Sequence, residues 1–291
     1  MFVLAHLSDL HLCSRPRLGE LAGKRALGLI NWYRGRKYIH RPEVIEAIAR
    51  DLKAVAVDHI AVTGDLVNLS LPDEYAKARV FLDGLGPPSA VTAIPGNHDI
   101  YVPEALRYPA DFWGDYIRGD DGAVGAFPFV RRRNDVGLIA LSSALPTGPF
   151  MATGRIGAEQ LALFAGALDQ MRGLFRIVLI HHPPLGPRSR YLRRLTDAAD
   201  FRRVLAEKGA ELVLHGHDHR HSLVWLDGPS EPIPAVGVPS ASALAPHGHE
   251  NAAGYNLFHI DAGAGTWKCE LVRRERGADG VLHEIERVNL R

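Results

Sequence analysis

Ile60-Ala61-Val62-Thr63-Gly64-Asp65 is the stretch that decides the fold. A short apolar, β-branched run reads as a strand buried on both faces, and such strands belong to parallel sheets covered by helices. Here the run stops at a glycine and an aspartate. The same grammar recurs along the chain. Phe2-Val3-Leu4 leads to Ser8-Asp9-Leu10-His11, and Val91-Thr92-Ala93-Ile94 leads to Gly96-Asn97-His98-Asp99. Ile177-Val178-Leu179-Ile180 leads to His181-His182-Pro183-Pro184, and Leu212-Val213-Leu214 leads to Gly216-His217-Asp218-His219. Polar groups that end parallel strands gather in the crevice at the carboxyl edge, where open α/β proteins build their sites. Two aspartates, an asparagine and several histidines in one crevice would repel or sit desolvated without a cation, so the set predicts a two-metal site. Carboxylate, amide and imidazole donors without thiolate suit Mn, Fe, Zn, Co or Ni. In Asp9-x-His11 and His217-x-His219, an extended backbone would turn both members to one side, because strand side chains alternate. Satisfied core histidines and turn aspartates would explain any one motif, but not all of them in order.

Working outward, Pro42 opens a helix through about Val57, with Val44, Ile45, Ile48, Leu52 and Val55 on one face and proline in its first turn. Ser70 reads as the cap of a second helix through about Leu85. Residues 136–142 read as a strand, and 157–171 and 196–208 as helices. After Gly216 the pattern turns to strands at 222–226, 234–238, 255–261, 267–273 and 281–288. Helix-linked strands followed by hairpins predict an α/β fold, a four-layer αββα sandwich of two mixed β-sheets packed together with helices outside. The 291 residues, 46% hydrophobic and 23% charged, are ample for one domain over 1–291. A net charge of +1 offers nucleic acid no bulk attraction, so no stable nucleic-acid complex is expected. Two cysteines, Cys13 and Cys269, read as reduced thiols of a cytoplasmic protein. Phe2 to Leu7 already reads as a strand, so no leader is expected, and no run approaches a membrane span.

On these motifs the chain resembles the calcineurin-like metallophosphoesterase superfamily, whose signature is D-x-H, G-D, G-N-H-[DE], a lone histidine after a strand, and G-H-x-H. The resemblance implies that one metal takes Asp9, His11, Asp65 and His219, and the other Asp65, Asn97, His181 and His217, with Asp65 bridging. His181 is preferred to His182 because it directly follows its strand; His182 is then an outer partner or solvent-facing. The resemblance also implies that His98 lies beside the metals without ligating them, stabilising charge or protonating the leaving oxygen, while Asp99 fixes the loop. A metal-activated water would attack the phosphorus in line. Departures narrow the branch. Serine/threonine phosphatases read G-D-x-x-D-R-G where this chain has Gly64-Asp65-Leu66-Val67-Asn68-Leu69, and purple acid phosphatases carry a tyrosine where Asn68 stands. Gly-Asp-Leu, Gly-Asn-His-Asp and His-His-Pro-Pro are most similar to the class III cyclic-nucleotide phosphodiesterase and glycerophosphodiesterase branch. An asparagine at 68 would orient the catalytic histidine without raising its basicity. A metal-dependent phosphoesterase is therefore expected, a phosphodiesterase or phosphatase, with a phosphodiesterase of small-molecule esters (cyclic nucleotides or glycerophosphodiesters) or lipid-linked esters favoured. A metal-dependent nuclease and a non-catalytic interaction scaffold are the alternatives.

Two stretches exceed what a scaffold needs. Residues 15–41 hold eight basic residues against the single acid Glu20, interleaved with Leu27, Leu29, Ile30, Trp32, Tyr33, Tyr38 and Ile39. The segment, about 14–41, reads as a cap beside the site. It is either a solvated basic helix packed by its apolar face or a surface for an anionic membrane, an amphipathic substrate or a second copy in a homodimer. Arg188, Arg190, Arg193 and Arg194 with Tyr191 come after the histidine-proline motif and offer either a phosphate clamp or a solvated loop. His247 and His249 read as loop residues near the pocket rim.

Overall fold

The computed structural model describes residues 1–21, 23–186, 188–262 and 266–291. The strands are β1 (Phe2–Leu7), β2 (His59–Val62), β3 (Val91–Ala93), β4 (Phe129–Arg133), β5 (Val136–Ala140), β6 (Phe175–Leu179), β7 (Leu212–His215), β8 (Ser222–Leu226), β9 (Ile233–Gly237), β10 (Gly254–Ala262), β11 (Trp267–Arg276) and β12 (Leu282–Asn289). The α-helices are α1 (Lys24–Asn31), α2 (Lys37–Ile39), α3 (Pro42–Ala54), α4 (Pro72–Leu85), α5 (Tyr108–Trp113), α6 (Ala158–Gln170) and α7 (Ala198–Lys208). One six-stranded sheet runs β12-β11-β10-β1-β2-β3 and the other β4-β5-β6-β7-β9-β8. Within them β1-β2-β3 and β5-β6-β7-β9 are parallel, and the outer strands are antiparallel.

Alternation along the second sheet shows why there are four layers. Leu138, Ala140, Ile177, Leu179, Leu212, Leu214 and Val236 join one apolar cluster with β1, β2, β3 and β10 and with Val44, Ile45, Ile48 and Leu52 of α3. Their neighbours Ile139, Val178, Val213 and Ala235 face the other way, onto Leu161, Phe164 and Leu168 of α6 and Phe201 and Leu205 of α7. Strand side chains alternate, so each central strand serves both cores. The layers are therefore α3/α4, first sheet, second sheet, α6/α7. No helix among the described residues is long and apolar enough to cross a membrane.

Some local expectations change. Ser70 does not cap α4; Leu71 holds the N-cap position, and Glu74 reaches back to accept the N–H groups of Asn68, Leu69 and Leu71. A carboxylate in a helix's first turn suits both the free donors and the dipole. Ser70 Oγ instead donates to His98 O at 2.7 Å and accepts from Tyr101 N, joining two site loops. Strand β4 and helix α5 had no periodic signal strong enough to be foreseen. Around the cap, the helical path widens at Trp32–Arg36 into a π turn.

Candidate metal centre

β1, β2 and β3 deliver their motifs from the first sheet, and β6 and β7 from the second, so the crevice lies between the carboxyl ends of both. The backbone there is not extended. Asp9 (φ 57), His11 (φ 49), Asp65 (φ 53), His217 (φ 69) and His219 (φ 53) all occupy the left-handed region. The expectation that D-x-H and H-x-H share a face through the strand pleat is therefore corrected: each motif lies beyond its strand in a tight left-handed turn. Such conformations are unfavourable for non-glycine residues and persist where surrounding structure over-determines them. Here the loops interlock. Asp9 N donates to Gly64 O, His11 N to Asp65 O, and His217 N to Asp9 Oδ2 at 2.9 Å. Two motif glycines are dictated by this packing. A Cβ on Gly96 would collide with Asp65 Oδ1, and one on Gly216 would collide with Ser8 Oγ.

The predicted residues converge. His11 Nε2 lies 3.0 Å from His219 Nε2, and Asp9 Oδ1 lies 3.1 Å from His219 Nε2 and 3.8 Å from His11 Nε2. On the other side, His181 Nε2 lies 3.4 Å from Asp65 Oδ2, 3.2 Å from Asn97 Oδ1 and 3.3 Å from His217 Nδ1. The second nitrogen of most of these rings is already committed. His181 Nδ1 donates to Thr63 O (2.7 Å), His217 Nε2 to Arg193 O (2.9 Å) and His219 Nδ1 to Glu250 Oε2 (2.9 Å). A ring anchored through one nitrogen turns its other nitrogen toward the shared space, the arrangement of metal-ligating histidines.

Electrostatics test whether a cation fits. Asp9 and Asp65 are buried, which alone would keep them protonated. Against that burial, His219 holds Asp9 below the usual carboxylate range, and His181 with His98 does so for Asp65. Burial likewise disfavours charge on His181 and His219, yet Asp65 raises the first to about 9 and Asp9 the second to about 9. Each carboxylate thus draws a positive partner onto a converging nitrogen, and a divalent cation would answer the same demand with the same oxygen and nitrogen donors. The donor set fits the group.

Neighbouring residues have other tasks. His98 is anchored by Nδ1–H donating to the main-chain carbonyl of Asn68 at 2.6 Å. Its orienting group is thus the Asn68 backbone rather than the Asn68 side chain, whose amide points to Cys13 Sγ at 4.0 Å. Burial, then Arg36, lowers His98 to about 4. Asp99 fixes its loop, accepting Val67 N and Gly96 N. His182 is buried, not solvent-facing, with Nδ1 2.8 Å from Ser143 Oγ and its ring against His217. Cys13 is pushed up to about 12 by burial, then Glu74, so it stays a thiol.

A cavity of about 310 Å³ opens over the centre, lined by His11, Asp65, Asn97, His98, His217 and His219 together with residues that the motifs do not contain. Arg36 and His40 come from the cap, and Arg193, His247 and Glu250 from later loops. His40 clusters with His11 and His219, their ligand atoms within 4.8 Å of one another. A lone histidine closing the basic segment before Pro42 was the available signal for His40; Glu250 had none. Arg193 Nη2 donates to His217 O, while the side chains of Arg188 and Arg190 lie outside the described residues, as does any clamp built on them.

A sequence model described as calcineurin-like phosphoesterase matches residues 2–221. A Synechococcus sp. protein named as a probable cyclic nucleotide phosphodiesterase is 30% identical over 279 residues, 92% of this chain and 91% of its own. Among solved structures, the purple acid phosphatase of yellow lupin matches with a TM-score of 0.62 at 13% identity, covering 99% of this chain and 53% of its own. The NAD nucleotidase of Haemophilus influenzae matches with a TM-score of 0.51 at 11% identity, covering 98% and 53%. The chain spans about half the length of these two structures, and the likeness to them is one of fold.

Proposed function

The chain belongs to the calcineurin-like phosphoesterase family and is a metal-dependent phosphoesterase, and from that premise we propose that it is a binuclear phosphodiesterase of small-molecule or lipid-linked esters. One ion would be held by Asp9, His11, Asp65 and His219, the other by Asp65, Asn97, His181 and His217, with Asp65 shared. The observation that carries this reading is the convergence of these seven side chains from two different sheets, with three of the rings anchored by Thr63 O, Arg193 O and Glu250 so that their other nitrogens turn inward. Bound divalent ions supply Lewis-acid polarisation of phosphoryl oxygens and acidify a water toward neutrality.

The chain's own residues supply position and protons. His98 is locked by Asn68 O, so its Nε2 faces the cavity. With its pKa near 4, that nitrogen carries a lone pair at neutral pH. To protonate a leaving oxygen it must first take a proton alongside the incoming phosphate charge. A cavity of about 310 Å³ suits the head of a small ester. The relative named as a probable cyclic nucleotide phosphodiesterase, aligned along nearly all of both chains, supports a diester. We read 1–291 as one domain and its compartment as cytoplasmic, with the cap open to an anionic membrane.

The test is a panel of bis-p-nitrophenyl phosphate, p-nitrophenyl phosphate, cyclic nucleotides and glycerophosphodiesters with Mn, Fe, Zn, Co or Ni. Diester hydrolysis that disappears on chelation is expected. Protein that binds two ions yet cleaves none of the panel would overturn the reading.

A further inference from the structure

We propose that Arg36, carried into the cavity by the cap, forms an anion subsite for the non-bridging oxygens of a phosphate group. The proposed function names the anion as that of an ester, while the subsite itself rests on where the guanidinium sits. Arg36 Nη1 lies 3.1 Å from His98 Nε2 and Nη2 lies 3.2 Å from His11 Nε2. Both acceptors are ring nitrogens; among the described residues no carboxylate pairs with this guanidinium. The two carboxylates whose field reaches it are Asp65 and Glu250. Each is engaged elsewhere, Asp65 with His98 N (2.7 Å) and His181, Glu250 with His219. A guanidinium has five N–H donors and no acceptor, so two contacts leave most of its fork unanswered. Arg36 is half-buried, with ring nitrogens and no counter-charge as its side-chain partners, and the partner that matches a planar fork is a carboxylate or a phosphate.

The placement is built into the fold. The π turn at Trp32–Arg36 is a wide helical turn of the kind found at functional sites. Below it, His40 N donates to Arg36 O, and the His40 ring stacks on Trp32 and meets Ser242 Oγ at 2.8 Å. Arg41 N donates to Ser242 O, and Leu244 N to Ile39 O. At the other end Arg25 donates to Leu69 O and Ser70 O. The cap is therefore pinned on both sides of the cavity, and Arg36 projects from its pinned part. Arg193, which also lines the cavity, donates to the His217 carbonyl instead. Of the two arginines lining the cavity, Arg36 is the one whose described guanidinium contacts include no oxygen.

Orthophosphate is the probe, titrated calorimetrically into metal-loaded and metal-free protein. Removing a charged hydrogen-bonding group corresponds to about 10- to 100-fold in affinity. Arg36→Gln and Arg36→Met should therefore weaken orthophosphate binding by about that factor. Arg36→Lys should recover part of it, as a point charge without the fork, and the exposed neighbour variant Arg34→Gln should match wild type. Metal content and melting temperature, measured alongside, show whether the variants stay folded and loaded; the Met variant keeps the apolar stem if Gln disturbs packing. Orthophosphate affinity unchanged in both neutral variants, or absent in wild type, would overturn the subsite. Wild type that binds orthophosphate through Arg36 but cleaves no ester would instead sink the proposed function and leave the subsite standing.

Discussion

Replacing Asp65 with asparagine is the perturbation that most directly probes a shared ligand. The side chain is 2% exposed, with Oδ1 accepting His98 N at 2.7 Å and Oδ2 lying 3.4 Å from His181 Nε2. Asparagine keeps the shape, but one oxygen becomes an NH2 that cannot ligate. If the amide oxygen stays on His98 N–H, the NH2 faces His181, on the side where that ring converges with Asn97 and His217. If it flips, the His98 N–H meets another donor and the loop shifts. Disturbing even the groups that orient metal ligands costs about 10- to 100-fold in metal affinity, so removing a ligating oxygen is expected to cost each ion at least about one to two decades. In the proposed arrangement both ions lose this contribution, whereas His11→Ala, which reaches one side only, spares the His181 side. Metal content after dialysis, together with calorimetric titration of Mn or Zn, should give about two ions per wild-type chain, fewer in both variants, and weakening at both sites only for Asp65→Asn. Two tight ions retained by Asp65→Asn would refute the shared-ligand reasoning, and full hydrolysis by chelated wild type would refute the metal requirement.

Other outcomes depend on particular side chains. His98→Ala should keep its metals and lose about 10²–10⁴-fold in turnover, less for p-nitrophenolate esters than for alkyl ones; an equal loss for both leaving groups would assign the ring to charge stabilisation instead. His59 is buried neutral against Thr92 Oγ1 at 2.7 Å and is lowered to about 3 by burial, then Arg133. Its folded pKa lies below the unfolded value, so the folded chain binds fewer protons between about pH 3 and pH 6.5, and stability falls as pH drops through that window. From pH 6.5 to 5 the loss from this group is about 2 kcal/mol, and His59→Gln should flatten the wild-type chemical-denaturation profile by that amount. On the cap, Arg34 is exposed and Lys37 Nζ lies over the rings of Tyr33 and Tyr38 at 5.0 and 4.7 Å, while Arg36 faces the cavity. Reversing Arg34 and Lys37 to glutamate should therefore abolish any preference for anionic over neutral vesicles in co-sedimentation, each basic residue contributing about 1 kcal/mol; a wild type without that preference makes the cap an ordinary solvated surface.

Much of the fold was legible because buried parallel strands write themselves as apolar runs, and five such runs end in polar motifs. The helices at 42–54, 72–85, 158–170 and 198–208 fell within a few residues of their predicted spans, since each buries one stripe. The features without a sequence signal were set by long-range packing. β4 reads Phe129-Val130-Arg131-Arg132-Arg133, more charged than strand-like; Arg131 is nonetheless buried, its guanidinium donating to the carbonyls of Pro88, Val91, Asp115 and Arg118. The left-handed turns at Asp9, His11, Asp65, His217 and His219 carry only a weak local signature: Asp and His enter that region more readily than most non-glycine residues, but far less readily than glycine. They exist only once loops from two sheets are pressed together. Arg36 stood in view as one of eight basic residues, and only the cap's path separates it from those facing water.

That separation bears on how much of the chain makes the site. The recognisable motifs end at His219 and the family match at residue 221, yet the centre depends on residues beyond both. Ser240 Oγ donates to Asp9 O at 2.6 Å, and Ala241 N donates to Ser8 O, so the left-handed turn at Asp9 leans on the segment leaving β9. Ser242 holds the His40 ring, and Arg41 N donates to Ser242 O, so the same segment anchors the cap that presents Arg36. Glu250 fixes the His219 ring, and Asn251 N donates to His219 O. β10 then pairs antiparallel with β1 along Phe2–His6, immediately ahead of the first motif. The motifs thus supply the donors, while residues 240–260 and the cap supply their orientation and the cavity's roof. Since the proposed donors sit in the motifs that carry the family resemblance and these supports lie outside them, we expect substrate choice to reside in the cap and the segment that pins it.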